Sequence, residues 1–217
     1  MTNLFSTFDP CTGNFSLNWI STFLVLTILP FKYWSLPNKQ MIMFNKITMM
    51  MNKETTTLMK YKGTSTLMIS MFYMILIINL MGLIPYIFTS SSHLVFSLTL
   101  AMPMWMGMMM FGWINKTTKM FIHLVPVGTP SIIMPFMVLI ETVSNLIRPG
   151  SLAVRLTANM IAGHLLMSLL GNNASQSTTM LTIMMIIFII LMVFETAVAM
   201  IQAYVFMTLS TLYSSEI

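Results

Sequence analysis

"TMLTIMMIIFIILMVFETAVAMIQAYVFMTLSTLY", residues 179–213, runs for 35 residues with Glu195 as its only charge. At about 1.5 Å per residue a helix of that length reaches roughly 50 Å. The hydrocarbon core of a bilayer is only about 30 Å thick. Such a stretch belongs in a membrane, and the composition agrees. Of 217 residues, 57% are hydrophobic and only 7% charged, where a soluble domain devotes about a quarter of its residues to charge. Several other windows of 18 or more residues carry no charge, the signal of a transmembrane helix.

Upstream of this stretch the polar turn "GNNASQS" (171–177) marks off a second long apolar run, interrupted at Pro149-Gly150. Spans are expected at 15–31, 64–88, 94–113, 128–171 and 179–213, within a single membrane domain covering residues 1–217. The second and third join through "TSSSH" (89–93) as a helical hairpin. The last two form another hairpin, and their length demands steep tilt, bending or protrusion, unless two ordinary spans meet at "RPGS" (148–151). Between the first and second spans, Lys32, Lys39, Lys46, Lys53 and Lys60 recur every seven residues. On a helix that period keeps them on one stripe, which predicts an interfacial amphipathic helix over 38–62. The fold class is all-α: an integral membrane protein with an N-terminal span, an interfacial helix, a helical hairpin and two long tilted helices.

Charge sets the orientation. The net charge of +5 sits largely in loop lysines, which orient a membrane protein more simply than they bind nucleic acid. Counting crossings puts the Lys-rich segment 32–62 and the loop with Lys116 and Lys119 on one side. By the positive-inside rule that side is the cytoplasm or the mitochondrial matrix. The N-terminus then faces the opposite compartment and the C-terminus shares the lysines' side. The opening "MTNLFSTFDPCTGNF" has neither a basic n-region nor a small-residue cleavage site, so the chain is expected to insert by its own helices. Cys11 is the only cysteine, which excludes an intrachain disulfide. The 28 methionines act as apolar gap fillers, and codon bias explains them better than metal handling. Three scattered histidines with no cysteine pair make a poor metal site, and no metal or other cofactor is expected.

Five ionisable residues lie inside the last two hydrophobic elements: Glu141, Arg148, Arg155, His164 and Glu195. Charge at membrane depth costs from about 2.5 to well above 10 kcal/mol and normally faces a bundle interior or water. At 100° per residue, Ser151, Ala158, Asn159 and Ala162 fall within about 60° of Arg155. That face is small, so another helix can approach it closely. His164 points about 180° away and lies about 14 Å further along. On the next helix Glu195 and Gln202 share a stripe with Ala199, and antiparallel pairing brings it to the depth of Arg155 and His164. Glu195 reads as a proton relay or as a neutral acid bonded to a neighbouring helix. His164 reads as a relay or a satisfied core histidine. Asn159 and Gln202 fit interhelical hydrogen bonding, while Arg148 marks a kink or snorkels. Arg155 has no cheap neutral form, because a guanidinium is not deprotonated in proteins.

These strings carry a resemblance. "LAVRLTANMIAGHLL" (152–166), "PFMVLIETVSNLIRPG" (135–150) and "ETAVAMIQAYVFMTLSTLY" (195–213) closely resemble the a-subunit family of F-type ATP synthases, in its mitochondrial form. "NLMGLIPYIFT" (79–89) and "IHLVPVGTP" (122–130) fit as well, so the resemblance covers essentially the whole chain. It implies a non-catalytic, proton-translocating stator subunit beside a rotating ring of c subunits, forming two offset half-channels. It also implies peripheral-stalk and other membrane-sector partners and a multi-pass place in the mitochondrial inner membrane. There the N-terminus would face the intermembrane space and the C-terminus the matrix. Arg155 matches the family's essential arginine, with Asn159 and Gln202 as its polar neighbours. His164 and Glu195 match the pair on the intermembrane-space side, and Glu141 matches a carboxylate near the matrix exit. The resemblance further favours one kinked helix at Pro149 over two spans. The rival reading is a self-contained proton or ion channel or secondary transporter, a class that typically shows internal repeats, and none is evident. A purely structural anchor leaves Arg155 without a role.

Overall fold

The computed structural model describes residues 4–30, 34–59, 63–125, 130–174 and 178–216. The regular structure among the described residues is helical throughout. Helix α1 covers Leu24–Ile28 and continues a 3-10 helix over Leu17–Phe23; α2 covers Lys39–Leu58. Then follow α3 (Thr64–Gly82), α4 (Leu94–Asn115), α5 (Thr117–Leu124), α6 (Met134–Ala174) and α7 (Thr178–Glu216). Among the described residues α3, α4, α6 and α7 are long and apolar enough to cross a membrane.

The two last helices set the scale. With 41 and 39 residues, α6 and α7 each run roughly 60 Å, about twice the hydrocarbon thickness. Helix α6 continues through Pro149, so "RPGS" does not separate two spans. A proline inside a helix forfeits one backbone hydrogen bond, and Pro149 is buried against neighbouring helices. Tight packing at the crossing comes from alanine. Ala153 of α6 and Ala203 of α7 are wholly buried beside Leu156 and Phe206, in a core that also takes Phe72 and Ile75 from α3 and Ala101 from α4. Small side chains let helix axes approach where lipid gives no hydrophobic drive to association.

Several expected elements differ in detail. The first span, expected over 15–31, is helical only over Leu17–Ile28, shorter than the others. Thr22 and Thr27 donate side-chain hydrogen bonds to the carbonyls of Trp19 and Leu24. Helix α3 ends at Gly82, where Pro85 and a left-handed Tyr86 (φ 70°) turn the chain. The hairpin α3–α4 is splayed: its helices meet near the turn, where Phe96 joins Ile77 and Ile78. Further along they part, α3 packing on α7 and α4 on α6. The connecting "TSSSH" is not a solvated turn. Ser90, Ser91 and Ser92 form a buried 3-10 turn packed on α6. Helix α5, not anticipated, carries Lys119 and His123.

Helix α2 lies along α3 and α7, burying Thr55 while Lys39, Lys46 and Lys53 stay exposed. That is the amphipathic arrangement its lysine period implied. Lys32, Lys60, the start of the fourth expected span at 128–129 and residues 175–177 of the polar turn lie outside the described residues. The packing makes a direct prediction. Phe206→Ala, at a wholly buried position, should destabilise the fold by about 3–5 kcal/mol. Phe194→Ala, at a position 66% exposed, should change little. Heat-induced unfolding in detergent micelles distinguishes the two.

Candidate functional site

Helix α6 has two unlike sides. Leu152, Ala153, Leu156, Thr157 and Met160 are buried against the bundle. The opposite face exposes Ser151, Arg155, Ala158, Asn159 and Ala162. Arg155 makes no hydrogen bond or ion pair with any described residue, so a cation on a face of small side chains stands exposed without a partner among them.

Behind that face runs a polar seam. Asn159 Nδ2 donates to Gln202 Oε1 at 3.2 Å, joining α6 to α7. Gln202 is only 5% exposed, and its Nε2 finds no protein partner. One turn further along α6, Gly163 faces the carboxyl of Glu195, which is 9% exposed and whose Oε1 is also buried without a partner. A Cβ built on Gly163 would fall 2.6 Å from Glu195 Cδ and closer still to Oε1, so only glycine admits the carboxyl there. Buried polar atoms left unpaired cost about 1–3 kcal/mol each. Two of them lie within two turns of α7, on Glu195 and Gln202.

His164 lies beside this seam but does not share Arg155's exposed face. It lines a cavity of about 730 Å³ bounded by the chain's N-terminal segment and the loop that follows α3, and its Nε2 is buried without a partner. Glu141 sits at the other end of α6, about 21 Å from Arg155 along the helix at 1.5 Å per residue. There Arg148 lies 3.8 Å from Glu141, donates to Glu216 at the end of α7, and places its guanidinium carbon 4.9 Å over the Tyr213 ring. Arg148 is thus an ionic clasp between the two long helices, which neither a kink marker nor a snorkelling cation describes.

The structure therefore brings Asn159 to Gln202 and Gly163 to Glu195, and sets Glu141 apart with Arg148. Gly163 and Glu216 are the residues that sequence reasoning left without a role. Glycine inside a helix is disfavoured by about 1 kcal/mol relative to alanine, and that alone hinted at a close approach at Gly163. Nothing in the sequence tied Glu216 to a residue 68 positions away.

Fold and site together define a polytopic helical membrane protein whose last two helices enclose a polar seam beneath an unpartnered arginine. The family model for the ATP synthase A chain matches residues 15–215. Subunit a of ATP synthase from Drosophila melanogaster is 58% identical over 222 residues, covering 100% of this chain and 99% of that protein. The proteins of the same name from Locusta migratoria and Aedes aegypti are 56% and 57% identical at the same coverage. The chain belongs to the ATP synthase A chain family, as a subunit of the membrane sector.

Gly163 supplies a test of the seam. Gly163→Ala should displace the Glu195 carboxyl and reduce proton-driven ATP synthesis by the assembled complex by about tenfold, as expected for a loss near 1.4 kcal/mol. Gly171→Ala, where an added Cβ meets nothing within 4 Å, should leave the rate intact.

Proposed function

We propose that the chain is the non-catalytic, proton-translocating stator of ATP synthase, offering two offset half-channels to a rotating ring of c subunits. The observation that carries this reading is Arg155, exposed among small residues and paired with no anion among the described residues. Leaving a charge unmatched there costs at least about 2.5–3.5 kcal/mol, so its partner has to come from another chain. A carboxylate on the ring is neutral while it faces lipid, because burying the anion is too costly. Opposite Arg155 the anion is stabilised, and its proton leaves toward Glu141. After rotation the carboxylate is reprotonated from the side of Glu195 and His164.

Offset between the two paths is the core of the idea. Glu141 and His164 lie on opposite sides of Arg155 along α6, so a proton crossing the membrane has to ride the ring between them. Arg155 cannot carry a proton itself, and its positive charge repels one leaking directly from path to path. Asn159 and Gln202 hold the two helices in register beneath it. Each elementary charge crossing the membrane yields about 2.3 kcal/mol per 100 mV, which drives rotation. Nucleotide chemistry belongs to other subunits.

We further infer a multi-pass place in the mitochondrial inner membrane with the lysine-bearing α2 and the loop near Lys116 in the matrix. The N-terminus then faces the intermembrane space and the C-terminus the matrix. One contact fits a matrix end shared by the two long helices: Arg148 of α6 binds Glu216 at the end of α7. Peripheral-stalk and other membrane-sector subunits complete the surroundings, in a single membrane unit spanning residues 1–217.

Arg155→Ala in the assembled complex tests the proposal. ATP-driven proton pumping should fall on the order of a hundredfold, the equivalent of the lower cost of an unmatched charge at this depth. Pumping at the wild-type rate would overturn the reading.

A further inference from the structure

We propose that the N-terminal segment forms the outer mouth of the cavity leading to His164, and that Asp9 is the fixed acid that gathers protons there. The inference rests on the half-channel reading above and adds a residue outside the last two helices.

The cavity is walled on three sides. Phe8, Asp9 and Cys11 come from the N-terminal segment, Gly82–Thr89 from the loop after α3, and His164, Ser168 and Met192 from the long helices. At about 730 Å³ it has room for many waters, each of which takes ~30 Å³ in the liquid. Among the described residues its titratable lining groups are Asp9, Cys11, Tyr86 and His164, with no lysine or arginine. A single acid thus sets the sign of the field at the mouth, while an unpartnered, buried imidazole nitrogen waits at the inner end. Fixed negative charge at the lip of a low-dielectric cleft raises the local concentration of cations.

The segment is anchored rather than draped. The backbone N–H of Cys11 donates to Asp9 Oδ1 at 3.0 Å, and Asn18 Nδ2 donates to the Asp9 carbonyl at 3.4 Å. The Phe8 ring meets His164 edge to face, with centroids 6.2 Å apart. Further on, Ser21 donates to the carbonyl of Phe88 at 3.1 Å, fastening the first helix to the loop that forms the second wall. The proton step balances simply. The Asp9 carboxylate takes a proton from hydronium, leaving water, then returns it to water inside the cavity, from which His164 Nε2 accepts it. Asp9 is restored as the anion.

Cys11 is a built-in reporter on the same lip. It is exposed, and the Asp9 carboxylate beside it raises its thiol above the usual range. Asp9→Asn should therefore speed thiolate-dependent labelling of Cys11 at a fixed pH.

The test uses whole ATP synthase reconstituted into vesicles, with synthesis rate followed against pH on the N-terminal side at constant driving force. Asp9→Asn should move the half-maximal point to about two- to fivefold higher proton concentration, the effect of one charge acting through water-like dielectric. Asp9→Glu should restore the wild-type profile. An Asn profile superimposed on wild type overturns the inference. Glu195→Gln separates the two levels: if it abolishes transport while Asp9→Asn is silent, only the role of Asp9 fails. If Glu195→Gln transports normally, the half-channel reading fails with it. Should Asp9→Asn not assemble, the wild-type complex decides, with Cys11→Ser as control. A bulky, membrane-impermeant maleimide on Cys11, added on the N-terminal side, should slow synthesis at least twofold. Complete labelling without slowing overturns the inference.

Discussion

A guanidinium in hydrocarbon has to be matched by an anion, and the rest of this structure is arranged around one that no described residue matches. Arg155 cannot shed its proton, and it stands on the exposed side of α6. The surrounding face is small, so a partner helix can come close. The buried side of the same helix is apolar and tightly packed on alanines, which holds the arginine where it is. Asn159, Gln202 and Glu195 lie behind it, in the seam between α6 and α7. A static salt bridge within the chain would satisfy the charge but leave nothing for a moving partner to exchange.

Length is the second constraint. Helices of roughly 60 Å outrun a core of about 30 Å, so they tilt, bend or protrude. In the proposed function, residues far apart on one helix face different compartments. Glu141 with its Arg148–Glu216 clasp lies toward one end, and His164 with its cavity lies toward the other. Continuity of α6 through Pro149 keeps these two ends rigidly related, which two separate spans would not.

Much of the fold was legible because membranes force backbone polar groups to pair within a segment, so long apolar runs are helices. The antiparallel counting that set Gln202 near the depth of Arg155 is reflected in the bond between Asn159 and Gln202. Contacts made by approach rather than periodicity were not legible. Gly163 against Glu195, Arg148 with Glu216, and Asp9 on the cavity of His164 all depend on how separate elements converge. Helix α5 escaped notice because eight residues give too little periodicity. "TSSSH" looked like a solvated turn, yet it is buried: Ser92 bonds Thr89 within the turn, while the Ser91 hydroxyl is buried without a protein partner.

The central claim is that the Arg155 face is covered by a moving ring rather than by lipid. Ala158 lies on that face, exposed and next to the arginine, so cross-linking from Ala158→Cys in a Cys11→Ser background tests it most directly. In assembled ATP synthase the account predicts a disulfide to a cysteine placed near the ring's carboxylate, formed in high yield and blocking rotation until reduced. Absence of that cross-link, with Ala158→Cys instead labelled freely by a lipid-soluble maleimide in the intact complex, would contradict it.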